Sequence, residues 1–278
     1  MAISVCLPAW NEAETVGAIV TTVLSAHLVD EVIVVDDGST DDTAQVAREA
    51  GATVVAERDI LPGTGPGSGK GNVLWKALAA STGDIVCFID ADLRNFRGEY
   101  VERLCAPLLD DPGTMLVKAL YTRPFEGAPT GGGRVTELVA RPLLSLFFPK
   151  LADIAQPLGG EYAARRSALE VVPFVQGWGV EIGLLIDIVE RFGRDSVAQV
   201  DLGAREHRNR PIEQLGQPAL AIVATALRRA GKLETDAPTI ELLRAAIPGE
   251  VEAIPVEVRE RPPIVTIPEY RARSVPPR

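Results

Sequence analysis

Residues 3–40, ISVCLPAWNEAETVGAIVTTVLSAHLVDEVIVVDDGST, decide the fold. Residues 3–7 are a short apolar run, the signature of a strand buried on both faces. After Pro8 and Ala9, Asn11 is placed to cap a helix in which Val16, Ile19, Val20, Val23 and Leu24 recur at helical spacing. Residues 32–35 then supply a second buried strand. A strand, a helix and a second apolar strand in about 35 residues make a β-α-β unit, and so an α/β fold with a parallel sheet covered by helices. The pattern continues outward. A polar turn at residues 36–42 feeds a helix ending at Ala50, residues 53–56 read as a third strand, and residues 84–89 are an apolar strand ending in Asp90-Ala91-Asp92. Open sheets of this kind bind ligands beyond the carboxyl ends of their strands. Pro8 to Glu12, Asp36 to Ser39 and Asp90 to Asp92 should therefore share one edge.

Between these strands lies DILPGTGPGSGKG, residues 59–71, too rich in Gly and Pro for regular structure, with a helix resuming over residues 72–81. The second half predicts a strand at 115–121, a loop at Gly131-Gly132-Gly133, and a helix over 135–148 interrupted at Arg141-Pro142. An amphipathic helix at 181–192, a strand at 197–202 and a helix at 219–229 follow. The expected organisation is a catalytic domain over 1–231, with a nucleotide-binding half (1–112) and a smaller acceptor-binding half (113–231). Residues 232–278 read as an appendage, a docked arm, oligomerisation element or partly disordered tail.

With 38 acidic and 28 basic residues the net charge is −10, which argues against nucleic acid as a partner. Cys6, Cys87 and Cys105 are three, without metal-site spacing, and read as buried small hydrophobes in a reducing, cytoplasmic setting. No basic leader or membrane-length apolar run is present in the sequence, so no stable membrane anchor is expected.

The chemistry is read from the loops. Asp90 and Asp92 are hard oxygen donors suited to magnesium or manganese with substrate phosphates completing the shell, although a D-x-D tripeptide by itself also serves as a turn cap. Asp37 and Ser39 can meet a nucleobase or ribose, or simply turn the chain into its next helix. The glycines before Lys70 suggest phosphate binding, but a Walker A loop needs glycine where Thr64 stands and a hydroxyl where Gly71 stands. A mobile lid presenting Lys70 to a diphosphate fits better. Gly133, Arg134 and Thr136 could hold a small anion through an amide, a guanidinium and a hydroxyl. His207 can complete a metal shell begun by a carboxylate, with Asn209 in reach of phosphate. Glu181 opens its helix, for which capping is the ordinary explanation.

PAWNEAETVG, VIVVDDGSTDDT, GSGKGNVLWKAL, DADL, GGGRVTELVARPLL, GEYAA, GVEIGLLID and HRNRP occur in the order found in retaining GT-A glycosyltransferases. Together, from Pro8 to Pro211, they resemble the glucosyl-3-phosphoglycerate synthases, with the mannosyl-3-phosphoglycerate synthases close behind. The resemblance implies a GT-A fold, a divalent metal (Mg2+ or Mn2+), a nucleoside-diphosphate sugar as co-substrate and 3-phosphoglycerate as acceptor. It puts Pro8, Ala9, Glu12, Asp37, Ser39, Lys70, Asp90 and Ala91 around the nucleotide or diphosphate, and Asp92 with His207 on the metal. Gly133, Arg134, Thr136 and Asn209 match acceptor positions, and Glu181 matches the acid beside the transferred sugar. Trp178 replaces a tyrosine common in that sugar pocket. UDP-glucose is the expected donor and a homodimer the expected assembly. The early motifs also fit glycosyltransferases acting on polyprenyl phosphates, and the sheet fits sugar-phosphate nucleotidyltransferases; GGGRVTEL and HRNRP favour the phosphoglycerate enzymes.

Overall fold

The computed structural model describes residues 1–125, 128–205, 211–235, 237–245 and 249–273. The opening unit is as expected: β1 (Ile3–Ala9), α1 (Val16–Leu24), β2 (Glu31–Asp36), α2 (Thr43–Glu49) and β3 (Thr53–Ala56). Next come α3 (Lys70–Ala80), β4 (Ile85–Phe88), α4 (Glu99–Asp110) and β5 (Leu116–Thr122). A two-stranded excursion, β6 (Pro124–Phe125) and β7 (Ala128–Gly131), leads to a wide helical turn at Thr136–Ala140 and to α5 (Arg141–Phe147). The chain returns through β8 (Tyr162–Arg165), α6 (Arg166–Leu169), β9 (Phe174–Val175), α7 (Val180–Phe192), β10 (Val197–Ala204) and α8 (Gly216–Arg229). It finishes with the hairpin β11 (Thr239–Ala245) and β12 (Val251–Glu257), then β13 (Glu260–Arg261) and α9 (Pro268–Arg273).

Seven strands form the main sheet in the order β10-β5-β8-β4-β1-β2-β3. All neighbours are parallel except β8, which runs antiparallel to both β4 and β5. Side chains alternate between two cores, as the strand period of two requires. On one face Val5, Leu7, Val32, Val34 and Cys87 meet α1 and α4. On the other Cys6, Ile33, Val35, Val86 and Phe88 meet α3 and α7. All three cysteines are free and buried.

Several local expectations are corrected. Asn11 does not cap α1: its backbone is left-handed (φ 55°) and its side-chain Oδ1 accepts from the Thr40 amide at 2.8 Å, tying two site loops together. The stretch 59–71 is not irregular throughout, because short 3-10 turns occupy Glu57–Asp59 and Pro62–Thr64 and α3 already begins at Lys70. Gly131 closes a strand instead of lying in a loop. The chain after Lys232 folds back on the catalytic half: β13 pairs with β9, and Ile264 and Tyr270 join the core that holds Trp75 and Phe88. No described helix is long and apolar enough to cross a membrane.

Candidate active site

The carboxyl edge of the sheet opens on a cavity of about 560 Å3. β1 delivers Pro8 and Ala9 to its wall, the following loop Glu12, β2 Asp37, and β4 Asp90, Ala91 and Asp92. Lys70 enters from the start of α3, Glu181 from the start of α7, and Trp178 from the turn before it. Gly133, Arg134 and Thr136 line the same cavity. Ser39 stands apart from the wall; its hydroxyl accepts the Asn11 amide at 2.9 Å and so shapes the loop that carries Glu12. His207 and Asn209 lie outside the described residues.

Lys70 is the centre of the arrangement. Gly69, at φ 75°, turns the chain so that Lys70 is the first residue of α3. Its Nζ lies 2.6 Å from Asp90 Oδ1 and 2.8 Å from Glu181 Oε1. The expectation of a lysine on a mobile lid is therefore corrected: helix and two carboxylates hold it. Burial works against the ammonium, but Asp90 and Glu181 outweigh it and raise the Lys70 pKa well above the usual value.

Sequence reasoning missed Arg205 and Glu161. Arg205 Nε donates to Glu161 Oε1 at 2.8 Å, and its Nη2 lies 2.7 Å from Asp90 Oδ2 and 3.6 Å from Asp92 Oδ1. Glu161 reaches this edge because β8 is antiparallel, so that its beginning lies beside the end of β4. The only sequence signal was a charged pair flanking quoted motifs, Arg205 two residues before His207 and Glu161 within GEYAA. Gly160, just before Glu161, admits no side chain: a Cβ there would collide with the Asp90 carboxylate and Lys70 Nζ.

Electrostatics divide the two aspartates. Burial pushes the Asp90 carboxyl up, yet Lys70 and Arg205 together bring it down to about 2, a permanently ionised group. For Asp92, burial and then the charge of Asp90 raise the pKa, with Arg205 only partly offsetting them. Asp92 Oδ1 is buried with no hydrogen-bond partner among the described residues. A buried, under-compensated carboxylate oxygen facing a cavity fits a hard divalent cation. Among the described residues no group of three or more metal-binding side chains occurs, so further donors have to come from elsewhere, bound phosphates included. On the cavity wall, Asp37 is pushed up to about 6 by burial and by neighbouring Glu57 and Asp36.

Residues 4–170 match glycosyl transferase family 2. The chain belongs to that family. A family 2 relative, glucosyl-3-phosphoglycerate synthase of Mycolicibacterium smegmatis, is 48% identical over 271 residues, 95% of this chain and 89% of the relative. The crystal structure of glucosyl-3-phosphoglycerate synthase from Mycobacterium tuberculosis with Mn2+, UDP-glucose and phosphoglyceric acid superimposes with a TM-score of 0.86. It is 46% identical, over 95% of this chain and 90% of that one. The same Mycobacterium tuberculosis enzyme with Mg2+ and UDP gives a TM-score of 0.85 at 45% identity, over 95% and 91% of the two chains. This family 2 glycosyltransferase thus has the GT-A architecture expected from its motifs.

Proposed function

We propose that this glycosyltransferase moves glucose from UDP-glucose to the C2 hydroxyl of 3-phosphoglycerate, with a divalent metal and with retention at the anomeric carbon. The observation that carries the reading is Lys70, held between Asp90 and Glu181 in a cavity also lined by Gly133, Arg134 and Thr136. A fixed ammonium for a leaving diphosphate shares the cavity with an amide, guanidinium and hydroxyl set suited to a phosphorylated acceptor. The likeness to phosphoglycerate enzymes over 95% of the chain supports the same substrates.

In this mechanism Asp37 orients the base, and Pro8, Ala9 and Glu12 border the nucleotide. Ser39 contributes by fixing the loop that carries Glu12. Asp92 would hold the metal, with His207 as its second protein ligand. The bound cation supplies Lewis-acid neutralisation of the diphosphate. Lys70 adds a positive charge at the bond that breaks, and Asp90 holds Lys70 and the chain around Ala91 in place. Arg134, Thr136, Gly133 and Asn209 anchor the acceptor phosphate and carboxylate, turning its hydroxyl towards the anomeric carbon. Glu181, 2.8 Å from Lys70, positions the sugar, with Trp178 against it. The acceptor enters on the face from which the diphosphate departs, and a leaving phosphate oxygen takes the hydroxyl proton.

The test is nucleoside-diphosphate release from UDP-, GDP- and ADP-glucose and GDP-mannose, with Mg2+ or Mn2+, with and without 3-phosphoglycerate. Release from UDP-glucose that depends on the acceptor, with an α-configured product by proton NMR, is expected; release indifferent to 3-phosphoglycerate refutes the reading. Free, buried Cys6, Cys87 and Cys105 support a reducing, cytoplasmic setting. Exposed Leu243 and Val251 on the β11–β12 hairpin support a homodimer through the C-terminal region, which light scattering on the purified chain tests.

A further inference from the structure

The Gly-rich segment that delivers Lys70 is held from behind by a part of the chain nearly two hundred residues later. Arg261, on β13, is 5% exposed and spends its entire guanidinium on that segment. Its Nε donates to Asn72 Oδ1 at 2.9 Å, Nη1 to the Thr64 carbonyl at 2.8 Å and Nη2 to the Gly65 carbonyl at 3.0 Å. The guanidinium lies 5.3 Å from the centre of the buried Trp75 ring, and the Trp75 indole N–H returns a hydrogen bond to the Pro262 carbonyl at 2.9 Å. The loop is wrapped so closely on this group that a Cβ at Gly67 would overlap both Asn72 and Arg261.

The pairing of β13 with β9 adds a second fixing point. Gln176 follows β9, and its backbone carbonyl accepts the Asn72 amide at 3.0 Å while its side-chain Oε1 accepts the Ser68 amide at 3.2 Å. Ser68 and Asn72, which bracket Gly69-Lys70-Gly71, are thus tied to a β9–β13 ladder completed only by the C-terminal arm. A planar fork spanning three acceptors is a geometry that lysine or a neutral side chain cannot reproduce.

We infer that Arg261 is a positioning residue for Lys70: it sets the path of residues 64–69 and hence where the ammonium stands at the donor diphosphate. This rests on the role given to Lys70 above. Arg261 lines no part of the cavity, so its effect has to pass through the loop and α3.

A double-mutant cycle on the full chain separates positioning from general support. Arg261→Ala is expected to lower kcat with UDP-glucose and 3-phosphoglycerate about 30-fold, since small misplacements of catalytic groups cost about that order. KM for 3-phosphoglycerate should stay within about twofold. In a Lys70→Ala background the same change should cost less than about threefold more, because its target is already gone. Amide hydrogen exchange should quicken over residues 64–72 and stay unchanged in β1 and β4. Equal losses in both backgrounds, or undiminished turnover, overturn the inference. If the alanine variant does not accumulate folded, Arg261→Lys is read in the same cycle against the same outcomes. Should the wild-type chain not turn over these substrates, the functional reading fails, and the exchange experiment alone judges Arg261; unchanged protection over 64–72 then refutes it.

Discussion

Gly160 is the residue on which the site's charge arrangement turns. Lys70 and Asp90 can meet at 2.6 Å only because nothing projects from the chain between them and β8. Gly160→Ala is expected to lower kcat about 100-fold through displacement of that pair, while the melting temperature moves little, since the position borders a cavity. A loss below fivefold would show that the pair has room to shift. Asp37 makes a second prediction. Held at about 6, mainly by burial, it loses its charge as pH falls through that value, and with it the acceptor proposed for the base. UDP affinity by calorimetry should fall about tenfold from pH 7 to pH 5 in the wild type relative to Asp37→Asn; parallel curves for the two proteins would remove Asp37 from the base site. Both aspartates at the strand ends were visible in the sequence because a strand followed by acids fixes its own place on the edge. Arg205 and Gly160 were not, because their roles exist only once β8 is set between β4 and β5, with β10 beyond β5.

Among elements, β5 and β8 enclose a charge that periodicity alone would not place there. Lys118, in the middle of β5, is 1% exposed; its Nζ donates to the Gly159 carbonyl at 2.5 Å and lies 4.7 Å from the Tyr162 ring centre. Burial brings its pKa down to about 8. The folded chain then holds this proton less tightly than the unfolded one, so folding is penalised below about pH 8 and the penalty fades as pH rises towards the unfolded value of 10.5. That interval corresponds to roughly 3 kcal/mol. Urea unfolding should therefore show wild-type stability rising relative to Lys118→Met between pH 7 and pH 10, by up to about that amount. A constant difference would mean that the amine titrates alike in the folded and unfolded chain, so that burial does not shift it. The same strands show where element reading stopped. Long runs such as 32–35 and 84–89 announce themselves, whereas β8, Tyr-Ala-Ala-Arg, has too few β-branched residues to stand out. Helix α4 escaped notice because Pro107 interrupts the stripe of Tyr100, Val101, Leu104, Cys105 and Leu108.

At the scale of the molecule, the C-terminal residues complete the catalytic half. Val256, Val258, Ile264 and Tyr270 are all buried, the last two in the core with Trp75 and Phe174. At about 2 kcal/mol for each apolar side chain, their removal rivals the whole stability of an ordinary domain. A chain ending at Lys232 is expected to be insoluble or to melt without cooperativity, as differential scanning calorimetry will report; a sharp transition near that of the full chain would disprove it. In the sequence the arm read as a docked arm, an oligomerisation element or a partly disordered tail without a choice between them, since the partners that give it structure, Asn72, Trp75 and Val175, are remote from it along the chain.

The antiparallel insertion of β8 also governs the order in which the chain can assemble. As the polypeptide leaves the ribosome, β1 to β4 emerge first, but β5 cannot hydrogen-bond to β4 in the finished sheet: its neighbour is a strand still some forty residues from synthesis. Until Tyr162–Arg165 appears, the group β1 to β4 and the single strand β5 wait with open edges, and their union is a late event of high sequence separation. Nascent chains arrested before residue 160 should remain sensitive to protease along β4, and those released past β10 should not. Protection of β4 in the shorter chains would show that the sheet finds another way to close.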